Sequence, residues 1–261
     1  MIEEKIDEIV KQYIDETTRD CYEIVYTNEN PSILDDKIGG TPYLPIGEEY
    51  PKDKYGNPMA LLFQANLTNL ELSNYPKGVL EIFLSTNKDD VCGSYELAKD
   101  CYLIKVYEEG LEYQENIEYV PLDMFINHPI KVKLEKKEMS FPFNMSDDQI
   151  VNYLLDLIER KFNITLNNPM DIKNKLNIDY DDLVDKLSDK TFGFANIGGY
   201  PWFINEPDVE YDTTKKCLAF IESDLEKGIC FGADAGNILV LSNKVDIINK
   251  DYNNIYCNIE W

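Results

Sequence analysis

The chain is poor both in groups that grip phosphate and in groups that move protons at neutral pH. Of its 261 residues only Arg19 and Arg160 are arginines, and His128 is the sole histidine. Guanidinium forks are the usual partners of phosphate backbones, and a formal net charge of −24 repels such backbones further. The expectation is therefore no nucleic acid and no membrane surface among the partners. With a single imidazole, any Ser-His-Asp or Cys-His arrangement has to use His128, which stands before Pro129 between two predicted strands. A histidine in such a loop is ordinarily a loop residue, so histidine-based hydrolysis is disfavoured.

Other absences bear on compartment. No apolar run approaches the roughly 18 residues of a membrane span. The start, with Glu3, Glu4, Lys5, Asp7 and Glu8 among the apolar residues, is acidic and periodic, unlike a secretory leader. Cys21, Cys92, Cys101, Cys217, Cys230 and Cys257 form no C-x-x-C pair and no zinc-ligand spacing. These features predict reduced, mostly buried thiols in a cytoplasmic protein, with no cofactor and no metal site.

What is abundant is bulk. Hydrophobic residues make up 44% of the chain, including 18 tyrosines and 11 phenylalanines, which is enough for a packed core despite the charge. Ile2, Ile6, Ile9, Val10, Tyr13 and Ile14 fall at helical spacing and predict an N-terminal helix ending near 15–18. Short apolar runs between turn signals predict strands at 21–26, 61–67, 79–84, 102–107 and 130–134, then at 217–221, 228–231, 238–241 and 255–261. Between 37 and 58 eight glycines and prolines forbid a long helix. Ser146-Asp147-Asp148-Gln149 fits a capping box ahead of Ile150, Val151, Leu154, Leu155, Leu157 and Ile158, so residues 146–190 read as a helical insert. The fold class is α+β and β-dominated, one domain over 1–261.

One echo organises the chain. Lys37-Ile38-Gly39-Gly40-Thr41-Pro42-Tyr43-Leu44 returns as Asn196-Ile197-Gly198-Gly199-Tyr200-Pro201-Trp202-Phe203, and two strand-like runs follow each copy in the same order. Two collinear copies predict internally duplicated β-rich units, about 37–90 and 196–261, rather than a solenoid.

At these motifs the chain resembles the YwqG family, the DUF1963 domain of unknown function. The resemblance rests on Lys37 to Pro45, Tyr50-Pro51, Gly56-Asn57-Pro58, Leu61 to Asn66 and Gly78 to Phe83 in the first part. In the second part it rests on Ile197 to Phe203, Ile221-Glu222-Ser223-Asp224 and Tyr256 to Trp261. It implies one β-rich, internally duplicated bacterial domain, and neighbouring toxin clusters in the family hint at an antidote role. It transfers no catalytic residue. A family His-Lys before the second Ile-Gly-Gly is Ala195-Asn196 here, and the family Trp-Gly-Asp-x-Gly is matched only by Phe231 to Gly236.

Several residues compete for a function. The Gly-Gly pairs sit in neither a P-loop nor a dinucleotide frame, so they read as turns. Glu222 and Asp224, at i and i+2, would share a strand face, and with Asp234 could line a carboxylate pocket. Yet 49 acids in 261 residues pair by chance, which favours a solvated surface. Tyr43, Tyr200 and Trp202 are candidate aromatic anchors beside the glycine turns, and Asp89 and Asp90 are candidate rim charges. The leading expectation is a non-enzymatic acidic module that binds a basic protein, of the immunity or antidote type. The alternative is an enzyme or small-ligand binder with a carboxylate-lined pocket between the two repeats.

Overall fold

The computed structural model describes residues 2–92, 97–143, 148–191, 193–201, 215–232, 236–249, 251–252 and 254–260. The strands are β1 (Arg19–Tyr26), β2 (Lys37–Ile38), β3 (Ala60–Asn66), β4 (Val79–Leu84), β5 (Tyr102–Tyr107), β6 (Ile130–Met139), β7 (Asn196–Ile197), β8 (Lys215–Glu222), β9 (Asn237–Asn243) and β10 (Tyr256–Glu260). The helices are α1 (Ile2–Thr17), α2 (Lys88–Val91), α3 (Asp148–Phe162), α4 (Met170–Leu176), α5 (Tyr180–Lys190) and α6 (Lys244–Asn249). Each described strand pairing is antiparallel, in the order β10-β9-β8-β7-β1-β6-β2-β3-β4-β5. The two ends of this sheet nearly meet. The Leu97 N–H donates to the Cys257 carbonyl at 3.0 Å, and the Tyr102 hydroxyl donates to the Ile255 carbonyl. The fold is thus a β-dominated α+β domain built on a nearly closed sheet.

Strand alternation divides the side chains between two faces. Leu80, Ile82 and Leu84 of β4 point into the main core with Ile38, Leu62, Ile104, Ile238, Val240 and Ile259. Val79, Glu81 and Phe83 take the opposite face. There Tyr43, Leu44 and Tyr107 pack on Val79, while Met59 and Leu61 pack on Phe83. The Gly- and Pro-rich chain between β2 and β3 therefore forms an outer layer over the first half of the sheet. Gly39 (φ +68°) and Gly40 (φ +89°) start it in a conformation that L side chains rarely adopt. A Cβ at Gly40 would also lie 3.1 Å from Pro129 Cβ.

The helices bury their own stripe. Ile6, Ile9, Val10 and Tyr13 of α1 meet Leu154, Leu157 and Ile158 of α3 and Leu183 and Leu187 of α5 in a separate core. Asp179 caps α5 by accepting from the Asp181 N–H at 3.3 Å, and Asn177, at φ 58°, ends α4. Helices thus fill most of the predicted insert; Ser146 and Asp147 of the capping box lie outside the described residues. The strand predicted at 228–231 is not formed. Ile229 makes only single bridges, to Ile126 and to Asp224, because Gly228 adopts the left-handed conformation directly before it.

The two halves pair alike. β2-β3-β4-β5 and β7-β8-β9-β10 run in the same order outward from the central β1-β6 pair. The ladder slips between Leu61 and Phe63 in one and between Cys217 and Ala219 in the other. No described helix is long and apolar enough to cross a membrane.

Candidate functional site

A row of polar residues crosses the first half where apolar ones would suffice. Lys37 pairs in register with Gln64, Gln64 with Glu81, and Glu81 with Lys105. Lys37, Gln64 and Glu81 are all buried. The Lys37 ammonium donates to the carbonyls of Ser32 (3.0 Å) and Ile33 (2.6 Å). Gln64 makes three hydrogen bonds: its Oε1 accepts from the Tyr43 N–H at 2.8 Å, and its Nε2 donates to Ile33 O (2.7 Å) and Asp35 O (3.0 Å).

Glu81 is the exception. It is fully buried, and neither carboxyl oxygen has a hydrogen-bond partner among the described residues. Burial pushes its pKa up to about 8; the nearby Tyr43 N–H, already committed to Gln64, and the Lys37 charge oppose this only in part. Burial likewise draws Lys37 down to about 8, against the pull of Glu81, Asp35 and Asp36. The Tyr50 and Tyr107 hydroxyls are also buried without partners among the described residues, and burial, then the Glu81 charge, makes both harder to ionise.

A cavity of about 380 Å³ lies directly against this row. Gln64 and Val79, the cross-strand partner of Glu81 and its i−2 neighbour on the same face, form part of its wall. Tyr43 and Tyr113 contribute rings 5.6 Å apart and tilted by 48°. The Tyr43 hydroxyl donates to the Leu111 carbonyl at 2.9 Å, which ties the glycine-turn layer to the loop after β5. Leu34, Leu111 and the exposed Glu109 complete the mouth. A wider groove of about 730 Å³ continues along residues 110–116 and Ile46. Around these openings Ile46 is 64% exposed, Leu34 57% and Leu111 42%. Segment 108–118 carries five glutamates and no basic residue. Glu48, Glu109, Glu112 and Glu115 are exposed, and none forms an ion pair with a described residue.

The sequence-predicted residues are scattered relative to this site. Tyr43 lies in it. Tyr200 is interior: its hydroxyl donates to Thr17 O at 2.7 Å, its ring stacks on Phe141 at 4.7 Å, and the Arg19 guanidinium sits 3.5 Å above it. Asp89 is exposed in the first turn of α2, whereas Asp90 pairs with Lys54 at 3.0 Å. Glu222 and Asp224 do not share a strand face, since β8 ends at Glu222 and Asp224 opens the 3-10 turn Leu225–Lys227. Glu222 accepts from the Ala195 N–H at 3.0 Å, and burial raises its pKa. Asp224 accepts from the Lys227 N–H at 3.0 Å. Trp202 and Asp234 lie outside the described residues. Among the described residues no group of His, Cys, Asp and Glu is arranged to hold a metal. His128 is exposed, and all six cysteines are free; burial lifts Cys21 and Cys217 to about 12 and Cys101 to about 11. Glu81, Gln64 and Lys37 escaped the sequence reading as site residues. Their signal was an acid inside Val-Leu-Glu-Ile-Phe-Leu and an amide inside Leu-Leu-Phe-Gln-Ala-Asn.

Fold and site together define a β-dominated domain with a covered polar row and an open, acidic, apolar-centred face in its first half. The chain belongs to the family described as a domain of unknown function, DUF1963, which matches residues 36–260. No curated protein matches it.

Proposed function

We propose that the protein is a non-enzymatic binding module, of the immunity or antidote type, that takes a basic protein partner in the cytoplasm. The observation that carries this reading is that exposed Leu34 and Leu111 line the cavity beside Glu109, while exposed Ile46 and Leu111 line the adjoining groove beside Glu112 and Glu115. Apolar side chains grouped around a groove mark interaction sites. The surrounding glutamates favour a cationic partner and speed its approach. A decisive test uses two peptides of equal charge, one alternating leucine with lysine and one alternating serine with lysine. The first should bind and lose its affinity in Ile46→Asp and Leu111→Asp. Equal binding of both peptides, indifferent to these substitutions, would leave only unspecific charge attraction and sink the reading.

A small-ligand reading is favoured by one observation, the size of the 380 Å³ cavity, which lies within the range of ligand pockets. That cavity lies in the first half, and Glu222 and Asp224 do not line it. Within the family, the Lys37–Pro45 element and its Ile197–Pro201 echo support grouping the chain with YwqG-like members. The matched strand order and the matched ladder slips support an origin by internal duplication of units 37–90 and 196–261.

A further inference from the structure

We propose that the 380 Å³ cavity is the anchor pocket of this face and receives one lysine or arginine side chain of the partner. The proposal rests on the binding-module reading and gives it a specific chemistry. The cavity walls contain methylene and methyl surface from Leu34, Val79 and Leu111, suited to the aliphatic stem of a long basic side chain. The half-buried Tyr113, backed by the buried Tyr43, lines the cavity with an aromatic ring, whose negative quadrupole attracts ammonium and guanidinium groups. Glu109 stands at the rim, and the Asn66 side chain holds it by donating to its Oε1 at 2.7 Å.

Other ligand classes fit less well. An anion would meet Glu109 at the rim, while the buried cation Lys37 is committed to the Ser32 and Ile33 carbonyls. Lys105, opposite Glu81 in register, makes no ion pair with it. A neutral polar ligand would meet amides already engaged, Gln64 in three hydrogen bonds and Asn66 in two, accepting from the Thr68 N–H at 3.0 Å and donating to Glu109. What the cavity chiefly offers is apolar surface, the Tyr113 ring and the Glu109 carboxylate at its rim.

The test is a norleucine scan of the leucine–lysine peptide, measured by fluorescence anisotropy. One lysine should dominate, its replacement weakening binding about tenfold while the others cost about twofold each. On the protein, Glu109→Gln should weaken binding severalfold. Leu34→Arg, which supplies an internal cation at the mouth, should weaken it about tenfold. Met170→Arg adds the same charge on α4, at a residue 71% exposed, and should change little. Thermal unfolding of all three variants should match the parent. Free agmatine at millimolar concentration should compete with the peptide and shift Tyr43 and Tyr113 resonances. If every lysine contributes equally and agmatine leaves both tyrosines unmoved, the face stands and the anchor pocket falls. If agmatine binds tightly and no peptide binds, the pocket takes a small cation, and the partner side chain is refuted. Failure of every probe removes both readings.

Discussion

Replacing Glu81 by glutamine isolates the energetics of the buried row. Both side chains fill the same space, and among the described residues the Glu81 oxygens make no hydrogen bond that glutamine would lose. The pH-dependent part of the change is therefore the loss of ionisation. The folded carboxyl titrates at about 8 and the unfolded one near 4.5. Between these values the folded state holds more protons than the unfolded state, so stability falls as pH rises through this window. Integration gives a Glu81 penalty of about 1 kcal/mol at pH 5 and about 3 kcal/mol at pH 7. Glu81→Gln should therefore gain about 2 kcal/mol more at pH 7 than at pH 5, whatever constant offset the amide itself introduces. Lys37, drawn down only to about 8, stays largely protonated over this range and does not confuse the comparison. Urea unfolding of both proteins at the two pH values, read by tyrosine fluorescence, measures the difference. Equal gains at pH 5 and 7 would mean that Glu81 ionises as readily folded as unfolded, and the account of an unpartnered buried carboxyl would be wrong.

Gln64→Met should destabilise by about 3 to 5 kcal/mol in urea, because it leaves the Tyr43 N–H and the Ile33 and Asp35 carbonyls without their side-chain partner. Tyr200→Phe should cost about 1 kcal/mol by removing the bond to Thr17 O, and should leave peptide affinity at the acidic face unchanged. The pair Glu112→Lys and Glu115→Lys should slow peptide association in stopped flow far more than it speeds dissociation. That effect should shrink as salt rises, since exposed charges are screened over about 8 Å at physiological ionic strength.

Strands that read as unbroken apolar runs were the most legible elements. β4, buried on both faces, and the partly exposed β5 coincide with the runs 79–84 and 102–107. β6 runs on from Leu134 to Met139 through Glu135, Lys136, Lys137 and Glu138, which pair with Glu23, Tyr22, Cys21 and Asp20 of β1. Their charge hides the strand: all four are exposed and alternate between the two faces, so neither face requires apolar side chains there. β2 and β7 have two residues each, too few for any period, although they join each half to the central pair. The face at 108–118 was passed over because a glutamate-rich loop resembles any solvated loop. Only its position against Leu34, Ile46 and the cavity distinguishes it. Glu222 and Asp224 illustrate the opposite error: two acids at strand spacing are co-facial only while the strand lasts.

The register lets the two halves be compared position by position. Counted from the ladder slips, Lys37, Gln64 and Glu81 in the first half correspond to Asn196, Phe220 and Leu239 in the second. Phe220 and Leu239 pack with Cys217, Leu241 and Tyr200 in an apolar cluster. The same strand geometry is thus completed without a buried charge, so the sheet itself does not require Glu81. A carboxyl that costs about 3 kcal/mol at pH 7 is a large burden for a domain whose whole stability is of order 5–15 kcal/mol. Destabilising groups that the architecture can do without concentrate where a protein acts. In this chain that argument and the exposed acidic face lead, independently, to the same half of the sheet.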